Sequence, residues 1–113
     1  MANSGLRGSF PLTEEGISSN VGSVSPGAYA LGSRKGSTFH ISYVGRADSD
    51  VARRLRDHIG NYERFKYEYY GSPKAAFEKE CHLYHDINPP ENAIHPDRPD
   101  GSNWTCPVCA NFN

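Results

Sequence analysis

Long apolar runs are absent from this sequence. No stretch approaches the roughly 20 apolar residues that a membrane-spanning helix needs, and the opening residues, MANSGLRGSF, lack the apolar core of a secretory signal. We therefore expect a cytoplasmic protein without a membrane partner. The 113 residues are enough for one small domain with one modest hydrophobic core.

The sequence has few cysteines and almost no net charge. Three cysteines without an export signal disfavour a disulfide framework and favour metal binding or free thiols. A net charge of −1 argues against a nonspecific polycation. One segment is nevertheless basic enough to meet phosphate groups, because its acids, Asp48 and Asp50, are outnumbered by Arg34, Lys35, Arg46, Arg53, Arg54 and Arg56.

Aromatic and β-branched residues predict three strands. Residues 27–33 (GAYALGS) and 37–45 (STFHISYVG) flank the turn sequence RKG, which favours an antiparallel hairpin. Residues 65–71 (FKYEYYG) alternate aromatic and charged side chains and predict the third strand.

Two helices are predicted around the third strand. The first begins at Asp48, Ser49 or Asp50, each a suitable N-cap, and ends at Gly60. The second covers residues 72–87 (SPKAAFEKECHLYHDI), which open with a serine cap and a proline at the first helical position.

These elements predict an α/β (α+β) domain over residues 26–93, with a small three-stranded, mainly antiparallel sheet flanked by helices. Residues 1–25 are rich in glycine and serine and predict a flexible leader; an extension ordered by packing is the alternative. Residues 94–113 form a proline-rich tail. Order in this tail must come from packing or from a metal.

Polar residues on the apolar faces of the two predicted helices indicate a functional site. Glu80 falls within the apolar stripe that includes Leu83, where a carboxylate is unfavourable unless something pairs with it. A salt bridge to an arginine is one explanation, and a divalent metal in a cleft is the other. On the first helix Arg54 lies at the edge of the apolar stripe, whereas Arg53 points almost opposite the core.

GAY (27–29) is followed by YVG (43–45), then by an Arg-Leu pair on a helix and a glutamate with leucine three residues later. Together these motifs resemble the GIY-YIG nuclease superfamily, which includes intron homing endonucleases and the nuclease of bacterial nucleotide-excision repair. The resemblance covers residues 26–93. It implies a GIY-YIG-like fold, endonuclease activity on DNA or another nucleic acid, and a catalytic Mg²⁺ or Mn²⁺ ion.

The resemblance also assigns roles by position. Tyr29 and Tyr43 match the two motif tyrosines, Arg54 the helix arginine and Glu80 the metal-binding glutamate. Asn92 is similar to the asparagine near the end of the domain, which is a substrate-binding position.

The chain departs from the superfamily pattern in two places. Ala28 replaces the isoleucine of the first motif. The spacing from Tyr43 to the helix arginine is one residue longer than the commonest pattern, so Arg53 remains an alternative to Arg54 for binding substrate.

Two further residues are candidates beside these motifs. Arg46 follows the second motif directly and is a candidate phosphate contact. His58 is a candidate proton shuttle or DNA contact, with a hydrogen-bonded structural histidine as the alternative.

The residue types suit phosphodiester hydrolysis. A metal on Glu80 supplies Lewis acidity, and Arg54 holds the scissile phosphate with two hydrogen bonds. Tyr43 acts as general base or orients the water, provided that the metal and the arginines lower its pKa from about 10. Tyr29 orders the water or holds Tyr43.

Cysteines and histidines predict a second, structural site for Zn²⁺. Cys106 and Cys109 form a Cys-x2-Cys pair, and Cys81 and His85 lie one turn apart on the second helix. His95 is the alternative to His85. Zinc there would attach the tail to the helix; three reduced cysteines without a metal are the alternative.

The sequence therefore predicts a metal-dependent endonuclease whose partner is nucleic acid, with DNA preferred and a protein partner as one means of targeting. The alternative is a catalytically weak module that binds nucleic acid or protein and is stabilised by zinc. The lack of a large basic surface and of a separate recognition domain favours this alternative.

Overall fold

The computed structural model describes residues 6–36, 38–87, 89–92, 102 and 104–108. Within them, four strands form one antiparallel sheet in the order β1-β4-β2-β3. The elements in chain order are β1 (Arg7–Pro11), α1 (Glu14–Asn20), β2 (Gly27–Lys35), β3 (Thr38–Ala47), α2 (Val51–Arg56), β4 (Arg64–Tyr69) and α3 (Pro73–Ile87).

The predicted hairpin is present as β2 and β3. These strands pair from Gly27 opposite Ala47 to Lys35 opposite Thr38. Gly36 follows β2 with a positive φ of 62°, a conformation that glycine adopts without strain. The third predicted strand is β4, which pairs with β2 on its other side. The predicted α+β class with an antiparallel sheet is thus confirmed.

The prediction of three strands is wrong, because β1 adds a fourth beside β4. From residue 6 onward the predicted flexible leader is an ordered part of the domain. Three of its apolar side chains, Leu12, Ile17 and Val21, are buried in the main core. Thr13 caps α1 by accepting a hydrogen bond from the Gly16 backbone N–H at 3.0 Å. These few apolar residues are enough to attach the segment to the core, although its overall glycine- and serine-rich composition predicted flexibility.

Helix α2 is shorter than predicted. Asp50 is its N-cap and accepts a hydrogen bond from the Arg53 N–H. The helix ends at Arg56, before Gly60, which has a positive φ of 92°. Helix α3 begins as predicted, since Pro73 occupies its first position and the Ser72 hydroxyl accepts from the Ala75 N–H at 3.1 Å.

Alternation along β2 sends side chains to two different cores. Tyr29 and Leu31 belong to the larger core, which includes residues of α1 and α2, whereas Ala28 and Ala30 pack with Leu83 of α3. The sheet therefore lies between α1 and α2 on one face and α3 on the other. Strand β3 is an edge strand, so groups from both faces meet beside it. Among the described residues, none of the helices has the length and apolar character needed to cross a membrane.

Candidate active site

A cleft of about 500 Å³ lies beside the edge strand β3. Most of its wall comes from the continuous stretch that runs from β3 through the next loop to the end of α2, and β2 and α3 contribute one residue each. The side chains and backbone that line it belong to Tyr29, Tyr43, Gly45, Arg46, Asp48, Ser49, Asp50, Arg53, Arg54, Asp57 and Glu80.

Most of the sequence-predicted catalytic and substrate-binding residues reach this cleft. They are Tyr29, Tyr43, Arg46, Arg53, Arg54 and Glu80. His58 touches it indirectly through Tyr29, and Asn92 contacts β3 away from its lining.

Arg46 and Glu80 form the buried wall of the cleft. An Arg46 guanidinium nitrogen (Nη1) lies 2.9 Å from Glu80 Oε1, and their side chains are only 14% and 9% exposed. Arg46 also donates from Nε to Asp48 at 2.9 Å, and its guanidinium lies 5.1 Å from the centre of the Phe77 ring. Although burial acts to lower it, hydrogen bonds and charges from Asp48 and Glu80 raise the pKa of Arg46. The salt bridge predicted as one explanation for Glu80 is therefore present.

The glycines of the two short motifs allow close packing around Tyr29. A Cβ atom on Gly45 would lie 2.6 Å from the Tyr29 hydroxyl oxygen, and one on Gly27 would overlap the Glu68 carbonyl oxygen and the Val51 side chain. Tyr29 pairs directly opposite Gly45 in the hairpin. The absence of a side chain at Gly45 thus leaves room for the buried Tyr29 ring.

Tyr29 is linked to His58 of the turn after α2. The Tyr29 hydroxyl shares a hydrogen bond of 3.1 Å with His58 Nε2. Tyr43 and Tyr62 stand around the same imidazole, with ring centres 5.6 Å and 6.4 Å from it. His58 is thereby held at the back of the cleft by three tyrosines.

Burial controls the protonation of these groups. Burial raises the pKa of Tyr29, while the charge of Arg54 opposes the rise. Burial and the Glu80 charge raise the pKa of Tyr43, so the arginines alone do not lower it as the general-base role requires. For His58, burial and the Arg54 charge lower the pKa. Neutral tyrosines and a neutral imidazole therefore face one another near pH 7.

Helix α2 supplies the exposed wall. Arg54 Nη1 lies 3.7 Å from Asp57 Oδ2, and their side chains are 54% and 60% exposed. Arg53 also lines the cleft, although its position on the helical wheel predicted a surface charge. Both arginines stand at the mouth of the cleft, and Arg54 is the one whose charge acts on the tyrosines and on His58.

Asn92 occupies a structural position. Its side-chain oxygen accepts from the Val44 N–H at 2.7 Å, and its side-chain nitrogen donates to the Val44 carbonyl at 3.0 Å. Beside it, the Glu91 N–H donates to the Ser42 carbonyl at 2.9 Å. Asn92 therefore pairs with the edge of β3 as a strand would, rather than lining the cleft.

Sequence reasoning missed the acidic part of the lining and Tyr62. The sequence predicted Asp48 and Asp50 as possible helix caps and as acids of the basic segment, but not as lining residues. Asp57 stands one turn after Arg54, and that spacing was the available signal for their ion pair. Tyr62 donates to Glu91 at 2.7 Å, and burial together with Glu91 raises its pKa to about 12. No local pattern marks Tyr62, because its contacts are with residues distant in sequence.

Glu80 is chemically suited to Mg²⁺ or Mn²⁺. Its carboxylate lines the cleft, and Mg²⁺ is often bound through one or two carboxylates together with water and substrate phosphates. Within the described part of the chain, no group of three or more His, Cys, Asp or Glu side chains is arranged to hold a metal ion. A metal at Glu80 would accordingly need oxygens from water and from the substrate.

Three of the predicted zinc ligands come together elsewhere, between α3 and the tail. Cys81 and Cys106 are buried in one cluster, and Cys106 Sγ lies 3.4 Å from His85 Nε2. The other two predicted ligands, His95 and Cys109, lie outside the described residues.

Comparison of the chain with protein-family models, with curated proteins and with solved structures finds no match.

Proposed function

We propose that this chain is a metal-dependent endonuclease that hydrolyses phosphodiester bonds in DNA, with a GIY-YIG type of active site. The observation that supports the proposal is the cleft in which two tyrosines and three arginines lie together with the Glu80 carboxylate. Phosphodiester hydrolysis needs an oriented water, positive charge at the phosphate and a stabilised leaving oxygen. Groups suited to each task line this cleft.

Glu80 would hold the divalent ion. When bound, Mg²⁺ or Mn²⁺ supplies Lewis acidity and stabilises charge on the phosphate and the leaving oxygen. Arg46 fixes the Glu80 carboxylate from one side at 2.9 Å, which reduces the reorganisation needed when substrate arrives.

Arg54 is the better placed of the two α2 arginines to bind the scissile phosphate. Among the described residues, Arg54 forms an ion pair with Asp57 at 3.7 Å, and such an exposed pair is weak. The guanidinium is therefore able to turn toward a phosphate and donate two parallel hydrogen bonds. Arg53 adds positive charge at the cleft mouth.

Tyr43 orients the attacking water in this proposal, and the Tyr29–His58 pair accepts its proton. Tyr43 lines the cleft but has a raised pKa, which favours a neutral hydroxyl that donates or accepts a hydrogen bond. The lowered pKa of His58 keeps its imidazole neutral, and the Tyr29 hydroxyl connects it to the cleft. A proton can then pass through the Tyr29 oxygen to His58 Nε2.

One observation favours a second function, a binding module with little catalysis. The Glu80 carboxylate already has a guanidinium partner at 2.9 Å, and a metal must compete with that contact. In this case nucleic acid would bind through Arg53 and Arg54 without being cut.

The test is cleavage of supercoiled plasmid and of single-stranded DNA with Mg²⁺ or Mn²⁺, with a chelator as the metal-free control. Wild type is compared with Glu80→Gln and with Glu78→Gln, which removes a carboxylate from the same helix outside the cleft lining. We expect metal-dependent cutting by wild type and Glu78→Gln. We expect Glu80→Gln to be slower by on the order of 1,000-fold, because several kcal/mol of transition-state stabilisation would be lost.

Folding of each variant is checked by circular dichroism. Binding of DNA without any cutting by folded wild type would favour the binding module. Equal loss in Glu78→Gln and Glu80→Gln would overturn the role of Glu80.

A further inference from the structure

A cluster of thiol and imidazole groups lies outside the cleft, where the tail packs on α3. Cys81 and Cys106 are 0% and 3% exposed and share a buried cluster with Phe77. Trp104 packs against this cluster, with its ring centre 5.5 Å from that of Phe77. The nuclease proposal gives these thiols no role.

The distances in the cluster fit one edge of a zinc site. Cys106 Sγ lies 3.4 Å from His85 Nε2, and Cys81 is within hydrogen-bonding reach of Cys106. In a tetrahedral site with Zn–S about 2.3 Å and Zn–N about 2.0 Å, a sulfur and a nitrogen ligand stand about 3.5 Å apart. Cys81 and His85 are four residues apart on α3 and so project from the same side of the helix.

The tail in this region has no helix or strand of its own among its described residues, 102 and 104–108. Two of these residues, Trp104 and Cys106, pack against Phe77 and Cys81 of α3. A structural metal commonly holds such a segment in a small domain, because the binding free energy contributes directly to folding.

We propose that Cys81, His85 and Cys106 bind a structural zinc ion together with Cys109. Among the described residues no group of three or more His, Cys, Asp or Glu side chains is arranged to hold a metal ion, so the three side chains would have to draw together around zinc, and a fourth ligand would complete the site. Cys109 is assigned on sequence alone, because Cys106 and Cys109 form the Cys-x2-Cys spacing of zinc sites.

Zinc at this position would also support the cleft from behind. The Phe77 ring contacts both Trp104 of the tail, at 5.5 Å between ring centres, and the Arg46 guanidinium, at 5.1 Å. Cys81 directly follows Glu80 on α3. Fixing the tail therefore fixes the packing beneath the Arg46–Glu80 pair.

The first experiment measures zinc in the purified full chain by mass spectrometry of the elements. We expect about one zinc ion per chain in wild type, and loss of the metal in Cys106→Ser and His85→Ala. His82→Ala is the matched control, since His82 is an exposed histidine on the same helix, and it should keep its zinc. Absence of zinc from wild type grown with added zinc, or equal loss in His82→Ala, would overturn the proposal.

A second experiment avoids variants that fail to fold. Wild type is stripped with a chelator and titrated with Co²⁺, which takes the place of zinc. We expect the intense thiolate-to-cobalt absorption of a sulfur-rich tetrahedral site, which should weaken in Cys109→Ser. A weak spectrum without thiolate absorption would overturn the site, and an unchanged spectrum in Cys109→Ser would overturn the fourth ligand. Glu80→Gln should keep its zinc even though it should lose cleavage. The zinc proposal and the nuclease proposal can therefore fail independently of each other.

Discussion

Two arginine–carboxylate pairs line the same cleft and differ in almost every physical respect. Arg46 and Glu80 are 2.9 Å apart, and their side chains are 14% and 9% exposed. Arg54 and Asp57 are 3.7 Å apart and are 54% and 60% exposed. The first pair has little access to water, whereas water screens the second and competes with it.

The difference follows from how each pair is assembled. Arg46 lies on β3 and Glu80 on α3, so their contact exists only in the folded domain. Arg54 and Asp57 stand one turn apart at the end of α2 and meet through local geometry. Tertiary structure therefore holds the Arg46 and Glu80 side chains in fixed positions. The exposed side chain of Arg54 can instead move toward a substrate.

The largest effect on stability is expected for Arg46→Met. This change keeps an unbranched, apolar stem but removes the guanidinium beside a buried carboxylate. We expect the free energy of unfolding to fall by about 3 kcal/mol, measured by urea denaturation near neutral pH.

Asp57→Asn provides the comparison for that measurement. Breaking the exposed pair should change the free energy of unfolding by less than about 0.5 kcal/mol. Equal effects for Arg46→Met and Asp57→Asn would remove the distinction between the two walls.

The next largest effect is expected for Arg54→Ala on cleavage. If Arg54 holds the scissile phosphate, its loss should lower kcat/KM by about 100-fold, with a smaller effect in Arg53→Ala. Arg34→Ala is the control for net charge, because Arg34 is exposed near the end of β2 and lies outside the cleft lining. An equal loss in all three variants would indicate general electrostatic attraction in place of a specific contact.

A smaller effect is expected for Tyr43→Phe. A tyrosine that only orients water should lose about tenfold in kcat, whereas loss of a general base is commonly 100-fold or more. Tyr84→Phe, on α3 and outside the cleft lining, serves as the control. A loss well above tenfold, with a pH dependence that disappears in the variant, would return the role of base to Tyr43.

The smallest expected effect is on stability as the pH falls. The pKa of His58 is lowered by burial and by Arg54, so the folded state binds its proton less tightly than the unfolded chain does. The neutral imidazole therefore stabilises the fold above about pH 6.5, and this contribution is lost as the pH falls through the folded pKa.

We expect a lower urea midpoint at about pH 5.5 than at about pH 7.5, and a smaller difference in His58→Gln, which cannot titrate. Glu14 and Glu68 also have lowered pKa values, because of hydrogen bonds from Arg56 and Arg7. Their contributions are lost only below about pH 4.5 and do not affect this window. An equal difference in wild type and His58→Gln would exclude His58 as its source.

The sequence allowed most of the elements to be predicted where the signal is local. The turn after β2 ends in Gly36, the cap of α2 is Asp50, and α3 begins at Pro73, each of which is visible in a few neighbouring residues. Strand β1 could not be predicted, because it exists through pairing with β4 more than 50 residues later, as in the register of Arg7 with Tyr67.

The candidate site, like strand β1, depends on contacts between residues distant in sequence, which the sequence alone does not predict. The position of Glu80 in an apolar stripe predicted that it would need a partner, but nothing in the sequence distinguished Arg46 from the other arginines. Asn92 was assigned by resemblance, and its contact with Val44 is a property of the folded edge of β3. Local patterns thus locate unusual residues, and tertiary structure decides what they contact.

The most direct measurement is the rate of plasmid nicking as a function of Mn²⁺ concentration for wild type and Glu80→Gln. If Glu80 on the buried wall holds the catalytic metal, the wild-type rate should rise with Mn²⁺ and reach a plateau, while the Glu80→Gln rate stays near background throughout. Matching metal-dependence curves for the two proteins would contradict this assignment and place the metal, if any, elsewhere.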